Sequence, residues 1–407
     1  MAGFRVGIVG GSIAGCAAAV ALSRSGHEVT VFERSPTRLL SRGLGIATQV
    51  GVFGELVRRD LIGAGFPHRP YDGPIRWIVK RPAWEPSGYV ASAVQSPAAG
   101  AVMAMHWGDL FDSFRSRVPQ DAYRAGALVT AVVPGPVGAT IQLGDLTHRF
   151  DLVICADGYR SLGRRTLFPG TRPRYRGYVV WRGIYAGNVT IDHGFSRSLV
   201  RVGYRGGFGM FYEVPSPDSA RRMNWALSLQ VPQNELIGFL GPGAGETGAA
   251  VAPGTMSPDR VAALRRFTHQ SLPEAYAAMV DATPDTAIQT IYTAEVPGYS
   301  AGRVCLLGDA GSLFPPFTAS GVFKAITNAI QLADDISGPD PLDQALARWS
   351  TRQVAAAKAA SRTAALLEPT LIFGVPDLTA MDPADIEKWV SSLPNPPGPQ
   401  TAQPART

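Results

Sequence analysis

Three acidic residues in this 407-residue chain stand at the end of an apolar run and beside, or downstream of, glycine, where a carboxylate is placed to accept hydroxyl groups. Glu33 closes the run Val29-Thr30-Val31-Phe32, Asp157 follows Leu152-Val153-Ile154-Cys155-Ala156 and precedes Gly158, and Asp309 follows Val304-Cys305-Leu306-Leu307-Gly308. Ahead of the first lies Val6-Gly7-Ile8-Val9-Gly10-Gly11-Ser12-Ile13-Ala14-Gly15. A glycine turn that opens a helix lets backbone N–H groups approach a pyrophosphate, and an acid at the end of the next strand accepts from a ribose hydroxyl. Gly10 and Gly15 take the first and last glycine positions and Ser12 the middle one, while Ile13, Ala14 and Arg34 complete the set facing the nucleotide. For this segment alone an ordinary strand-to-helix turn is the alternative. Two further carboxylates at strand ends weigh against it, since each is placed to hold a sugar or polyol at the carboxyl edge of a parallel sheet.

The elements that must position these groups are legible as patterns. Residues 4–9, 12–25 and 28–32 read as strand, Ala-rich helix and strand. Residues 75–95 and 175–230 carry aromatic and β-branched alternation and read as sheet. Gly241 to Pro258 is dense in Gly, Ala and Pro and reads as an exposed loop. Helical character returns over 259–281, a buried strand over 302–308, and helices over Gly321–Ile336 and 341–367.

Composition bounds the rest. With 45% hydrophobic and 17% charged residues the chain buries a large core and has room for two or three domains. The net charge of +6 is carried almost wholly by scattered arginines, with lysine only at positions 80, 324, 358 and 388, which argues against a nucleic-acid surface. Cys16, Cys155 and Cys305 lack metal-ligand spacing and read as buried, reduced core thiols. Ile13-Ala14-Gly15-Cys16 has the look of a cleavage site, but Glu28 to Glu33 completes a strand–helix–strand unit that a cleaved peptide does not need. No apolar run reaches membrane-spanning length, so the expectation is a cytoplasmic protein with no membrane and no nucleic-acid partner, a monomer or homodimer.

Taken with their order and separation, these segments resemble the single-component FAD-dependent aromatic monooxygenases that include para-hydroxybenzoate hydroxylase. The carrying motifs are the glycine turn with Glu33, Ala156-Asp157-Gly158 with Ser161 and Arg164, and Gly308-Asp309 with the proline loop and helix behind it; the resemblance covers about residues 4–350. Gly10 to Gly15, Arg176-Gly177-Tyr178-Val179-Val180-Trp181-Arg182-Gly183 and the Ala319-Ser320-Gly321 to Lys324-Ala325 stretch look like the 2,6-dihydroxypyridine 3-monooxygenase branch.

The resemblance implies an α/β architecture: a Rossmann-like FAD-binding domain with a parallel sheet (residues 1–74, 101–172 and 291–340), a substrate domain on a mainly antiparallel sheet (75–100 and 173–290), C-terminal helices (341–390) and a disordered tail (391–407). It implies FAD as cofactor, NAD(P)H as transient co-substrate and O2, with hydroxylation of an electron-rich aromatic small molecule through a flavin C4a-hydroperoxide, in aromatic catabolism or natural-product tailoring. Glu33 would bind the adenosine ribose and Asp309 the ribityl chain, Asp157 and Gly158 would couple FAD binding to NAD(P)H use, and Arg42 would lie near the flavin. Pro315 and Pro316 would lie against the isoalloxazine, and the helix starting at Gly321 and Val322 would aim N–H groups at its N1/O2 edge, where the reduced flavin carries negative charge. Trp181, Tyr204, Phe211, Tyr212 and Trp225 are the expected aromatic lining of the substrate pocket, with Pro315 beside them, and no catalytic base is named. Three positions depart from the family: Ser312 replaces the histidine after the Gly-Asp motif, Asn328 an acidic residue, and Trp107 an arginine that contacts FAD phosphate. A flavin reductase of the same fold and a flavin-binding protein without turnover remain the alternatives.

Overall fold

The computed structural model describes residues 3–37, 44–80, 88–95, 101–187, 197–216, 222–241, 250–252, 254–318 and 321–394. Its first layer is a six-stranded sheet in the order Ser300–Ala301, Val304–Leu306, Leu152–Cys155, Arg5–Val9, Glu28–Glu33, Tyr123–Ala125, parallel throughout except for the first short pair. Leu152–Cys155 and Val304–Leu306 are buried at every position, as continuous apolar strands of a parallel sheet are when both faces are covered. Helix Ile13–Arg24 covers one face, packed on helices Trp107–Arg115 and Gly321–Ile336. A three-stranded antiparallel sheet (Ala131–Pro134, Ala139–Leu143, Leu146–Phe150) covers the other, with Ile141 and Phe150 so close to Gly7 that a Cβ there would lie 2.6 Å from the Phe150 ring.

The second layer is a nine-stranded sheet ordered Ala250–Val251, Thr286–Glu295, Arg174–Ala186, Arg222–Gln230, Gly207–Val214, Val200–Tyr204, Ile75–Val79, Tyr89–Gln95, with Ser312–Leu313 paired to Thr286–Glu295. All pairings are antiparallel save Val200–Tyr204 with Ile75–Val79. Strands Ile75–Val79 and Tyr89–Gln95 thus join a sheet formed mostly by residues a hundred positions later, and Thr286–Glu295 runs across position 290 before the chain returns to the parallel sheet. The helical stretch 259–281 is two helices, Pro258–Ser271 and Glu274–Asp281, broken where Pro273 lacks an N–H and disfavours helix in the residue before it.

Helix Leu342–Glu368 spans both layers. Near its start the Trp349 indole donates to the Asn328 carbonyl at 3.1 Å; at its end Glu368 pairs with Arg176 of the sheet. Helix Pro383–Ser392 then closes the far edge: the Glu387 carboxylate accepts from the N–H groups of Ser92 at 2.7 Å and Ala93 at 2.5 Å, capping strand Tyr89–Gln95, which would otherwise offer unpaired backbone. The tail 395–407, the center of the Gly-rich loop (242–249) and Arg42 lie outside the described residues. Among those described, no helix is long and apolar enough to cross a membrane.

Candidate functional site

The glycine turn sits where strand Arg5–Val9 meets helix Ile13–Arg24. Gly10 adopts φ +99°, and a Cβ there would stand 2.5 Å from the Ala156 carbonyl, so only glycine lets this turn press against the neighboring strand end. Ser12 occupies the N-cap position with extended backbone, yet its side chain caps nothing, which leaves the first-turn N–H groups for another acceptor. Glu33 is buried: Oε2 accepts from Gly11 N at 2.7 Å and Oε1 from Ser35 N at 2.9 Å. Each carboxylate oxygen has a further lone pair, so these bonds orient the acid without exhausting it. Arg34 is exposed beside it. Tyr123 donates to the Gly11 carbonyl at 3.0 Å and stacks under Arg115, 3.9 Å from ring centroid to guanidinium, a support the sequence did not announce.

The second and third turns are joined. Asp157 Oδ2 accepts from Leu162 N at 2.6 Å, the start of helix Leu162–Leu167, while Oδ1 is buried with no partner; burial pushes this carboxyl above its usual range. Gly158 beside it takes φ +74°. Arg164, 2% exposed, donates from Nη1 to the carbonyls of Asp309 (2.8 Å) and Ala310 (3.1 Å) and from Nη2 to that of Tyr159. One guanidinium therefore straps the Asp157 turn to the Gly308–Ala310 turn. Gly308 has φ +58° and lies so near helix Gly321–Ile336 that a Cβ would be 2.7 Å from that of Ala325. Its N–H donates to Asn328 Oδ1 at 3.2 Å, and Asn328 Nδ2 donates to Gln353 at 2.7 Å. An amide does here what a carboxylate cannot, accepting and donating at once.

The Asp309 side chain is 49% exposed, 3.9 Å from the Lys324 ammonium. Ser312 is buried with its hydroxyl 2.5 Å from that of Tyr299. Phe314 is half-buried, Pro315 buried and Pro316 exposed; Val322 is half-buried at the start of the helix, and a Cβ on Gly321 would meet no described atom. Trp107 stacks on Phe111, with centroids 5.4 Å apart and planes 9° apart. The orphaned Asp157 oxygen, the uncapped helix start at Ser12 and the exposed Asp309 carboxylate together fit the phosphates and hydroxyls of a dinucleotide.

The expected substrate lining divides between the two faces of the large sheet. Trp181, Tyr204, Phe211 and Trp225 point to the face covered by helices Pro258–Ser271 and Glu274–Asp281, in one core with Tyr276 and Leu264. Phe211 meets Tyr276 edge-on at 4.7 Å, and the indoles of Trp225 and Trp181 donate to Thr283 (2.9 Å) and Thr286 (3.3 Å). Their burial there is structural, so Trp225→Ala is expected to cost about 3–5 kcal/mol of stability. A lowered urea midpoint with an unaltered KM for substrate would be the signature.

Tyr212 lies on the opposite face with Arg182, Met210, Asn224, Ala226 and Gln289, as the strand registers require. One end of that face is covered by Tyr71, Val102 and Ala104 with Val214, the other by Leu367, Leu371 and Leu378 with Tyr178, Val180 and Phe208. Between these covers Arg182, Met210 and Ala226 are half-buried and Gln289 is exposed. Arg182 donates to Gln289 at 3.1 Å and to the Gly45 carbonyl at 3.2 Å, and Asn224 accepts from Gly45 N at 2.8 Å. Burial lowers the Arg182 pKa, Tyr212 opposes that, and Nε lacks a partner. Asn224 and Gln289, missed in the sequence, were marked there only by being amides inside apolar strands.

Residues 8–38 match the family model of the NAD(P)-binding Rossmann-like domain. The chain is 29% identical over 361 residues to the aurachin C monooxygenase/isomerase of Stigmatella aurantiaca, covering 86% of this chain and 85% of that one. It is 26% identical to the 2,6-dihydroxypyridine 3-monooxygenase of Paenarthrobacter nicotinovorans, covering 86% and 87%. The solved 2,6-dihydroxypyridine-3-hydroxylase from Arthrobacter nicotinovorans shares its fold, with a TM-score of 0.79 at 21% identity over 94% of this chain and 95% of that one. Other solved chains of this fold hold FAD.

Proposed function

From its likeness to the FAD-dependent aromatic monooxygenases, oxidoreductases that use FAD, NAD(P)H and O2, we propose that this chain hydroxylates an electron-rich aromatic small molecule held on the sheet face of Arg182 and Tyr212. The observation that carries the reading is the half-buried middle of that face: two apolar side chains, Met210 and Ala226, at the edge of the adjoining core and flanked by a guanidinium and an amide. Ligand sites combine apolar walls with a few oriented polar groups in this way.

Bound FAD supplies the redox chemistry, accepting hydride from NAD(P)H and activating O2, and the protein binds, orients and excludes water. In this reading Glu33 takes the ribose, the helix starting at Ile13 the pyrophosphate, and Asp309 the ribityl hydroxyls. Helix Gly321–Ile336 presents its positive end to the flavin ring. Arg182 orients the substrate by pairing with a phenolate or acidic group, and Tyr212 stays a neutral hydroxyl because burial raises its pKa. The narrower branch and the substrate itself are read from likeness to the dihydroxypyridine enzyme and from this chemistry alone.

The test is oxygen-dependent NAD(P)H oxidation by the yellow protein against phenols, hydroxypyridines and polycyclic aromatics, with product analysis. Oxygen uptake in step with hydroxylated product is expected; substrate reduction without oxygen uptake would instead make the chain a reductase. With an acidic substrate found, Arg182→Met is expected to raise KM about ten- to a hundredfold, the loss of one charge-assisted hydrogen bond. An unchanged KM would place the substrate elsewhere.

A further inference from the structure

Lys324 is one of four lysines in the chain, and its side chain is only 11% exposed. It sits in the first turn of helix Gly321–Ile336 and donates to the Ser312 carbonyl. Its ammonium lies 3.9 Å from Asp309 Oδ1 and 4.8 Å from the centroid of Phe314. Two charged groups face it from neighboring elements: Asp309 from the turn at 308–310, and Arg164 from helix Leu162–Leu167. Burial brings its pKa down to about 8, with Asp309 opposing that and Arg164 reinforcing it. A neutral donor would satisfy the Ser312 carbonyl as well, without the cost of desolvating a cation. The charge itself therefore needs a reason, and its surroundings supply one. It stands between the carboxylate read as the ribityl partner and the helix end read as the flavin-ring partner.

We propose that Lys324 is a positioning residue for flavin reduction: its ammonium, held between the Ser312 carbonyl and the Asp309 carboxylate, favors the reduced, anionic form of FAD over the oxidised form. This rests on the placement of FAD against Asp309 and helix Gly321–Ile336. Reduction by two electrons and one proton leaves one negative charge on the flavin, and a fixed cation beside the site that would hold it lowers the energy of that state. The charge adds to the positive end of the helix on which Lys324 stands.

The experiment compares FAD-loaded wild type, Lys324→Met and Lys324→Arg by dye-coupled redox titration, with FAD affinity measured separately by fluorescence. Lys324→Met is expected to move the reduced-to-oxidised equilibrium at least tenfold toward oxidised flavin, 29.6 mV for a two-electron couple. Lys324→Arg is expected to stay within about threefold of wild type, since it keeps the charge. If Lys324→Met binds FAD normally and its equilibrium stays within threefold of wild type, the proposal is overturned while the FAD placement stands. If Asp309→Ala retains FAD undiminished, it is the placement that fails. Should Lys324→Met not fold, wild type and Lys324→Arg are titrated across pH 7–9. The wild-type potential is expected to fall more steeply above pH about 8, where Lys324 alone of the two loses its charge, and parallel slopes would overturn the proposal.

Discussion

Replacing Asp309 by alanine is expected to strip FAD from the protein on purification, with Kd rising about ten- to a hundredfold. The reason is local. Asp309 follows a buried strand, is held in place through its own carbonyl by Arg164, and leaves half of its side chain open. A carboxylate so placed forms charge-assisted bonds to polyol hydroxyls, each worth about 1.5–3 kcal/mol. Little else should change, because no described backbone donor depends on that side chain, Lys324 lies 3.9 Å from it, and Arg164 is bonded to the Asp309 carbonyl rather than to its carboxylate. Fluorescence titration of the apoprotein with FAD measures the effect. Asp309→Asn, which keeps an acceptor, should fall between the two, and an unchanged Kd for the alanine variant would remove Asp309 from the cofactor site.

Arg164→Met should do wider damage. The guanidinium is buried and satisfies three carbonyls, those of Tyr159, Asp309 and Ala310. Methionine fills similar volume but leaves these acceptors without their donor, at about 1–3 kcal/mol for each one that water cannot reach. We expect a stability loss of about 2–4 kcal/mol and, in the fraction that folds, weaker FAD binding, because the Asp157 and Asp309 turns are no longer tied together. Lys at this position keeps the charge but not the planar fork that reaches two turns at once, so Arg164→Lys should recover only part of the loss. Urea unfolding followed by intrinsic fluorescence, with and without FAD, separates the two effects. Equal losses with and without cofactor would mean that Arg164 serves the fold alone.

Much of the geometry of the candidate cofactor side was legible because its chemistry is local. Gly10 must be glycine for a reason written into the strand-to-helix turn, and Glu33 ends its own strand. Asp157 and Asp309 each follow a buried apolar run, so their place at a sheet edge follows from a few neighboring residues. Their connection did not. Arg164 ends the motif that begins at Ala156, but nothing in the sequence indicates that its guanidinium reaches Asp309 across 145 positions.

The sheet face shows the same limit more sharply. The alternation in Arg174–Ala186, Gly207–Val214 and Arg222–Gln230 determines which residues share a face: Trp181 stands with Phe211 and Trp225, and Arg182 with Tyr212 and Asn224. A period of two carries no direction, however. Size and aromaticity favored the tryptophans as a ligand lining, whereas helices Pro258–Ser271 and Glu274–Asp281 settle on that side and bury them. Lys324 is a third case, since helical spacing places it near Gly321 but only the approach of the 308–318 turn takes its ammonium out of water. By itself, then, the sequence determined the strands, the turns and the carboxylates that end them, because backbone conformation and strand-end chemistry depend on near neighbors. The tertiary structure decided which face of the sheet the helices cover, which turns Arg164 joins and which lysine is buried, because each depends on what packs against it from a distant part of the chain.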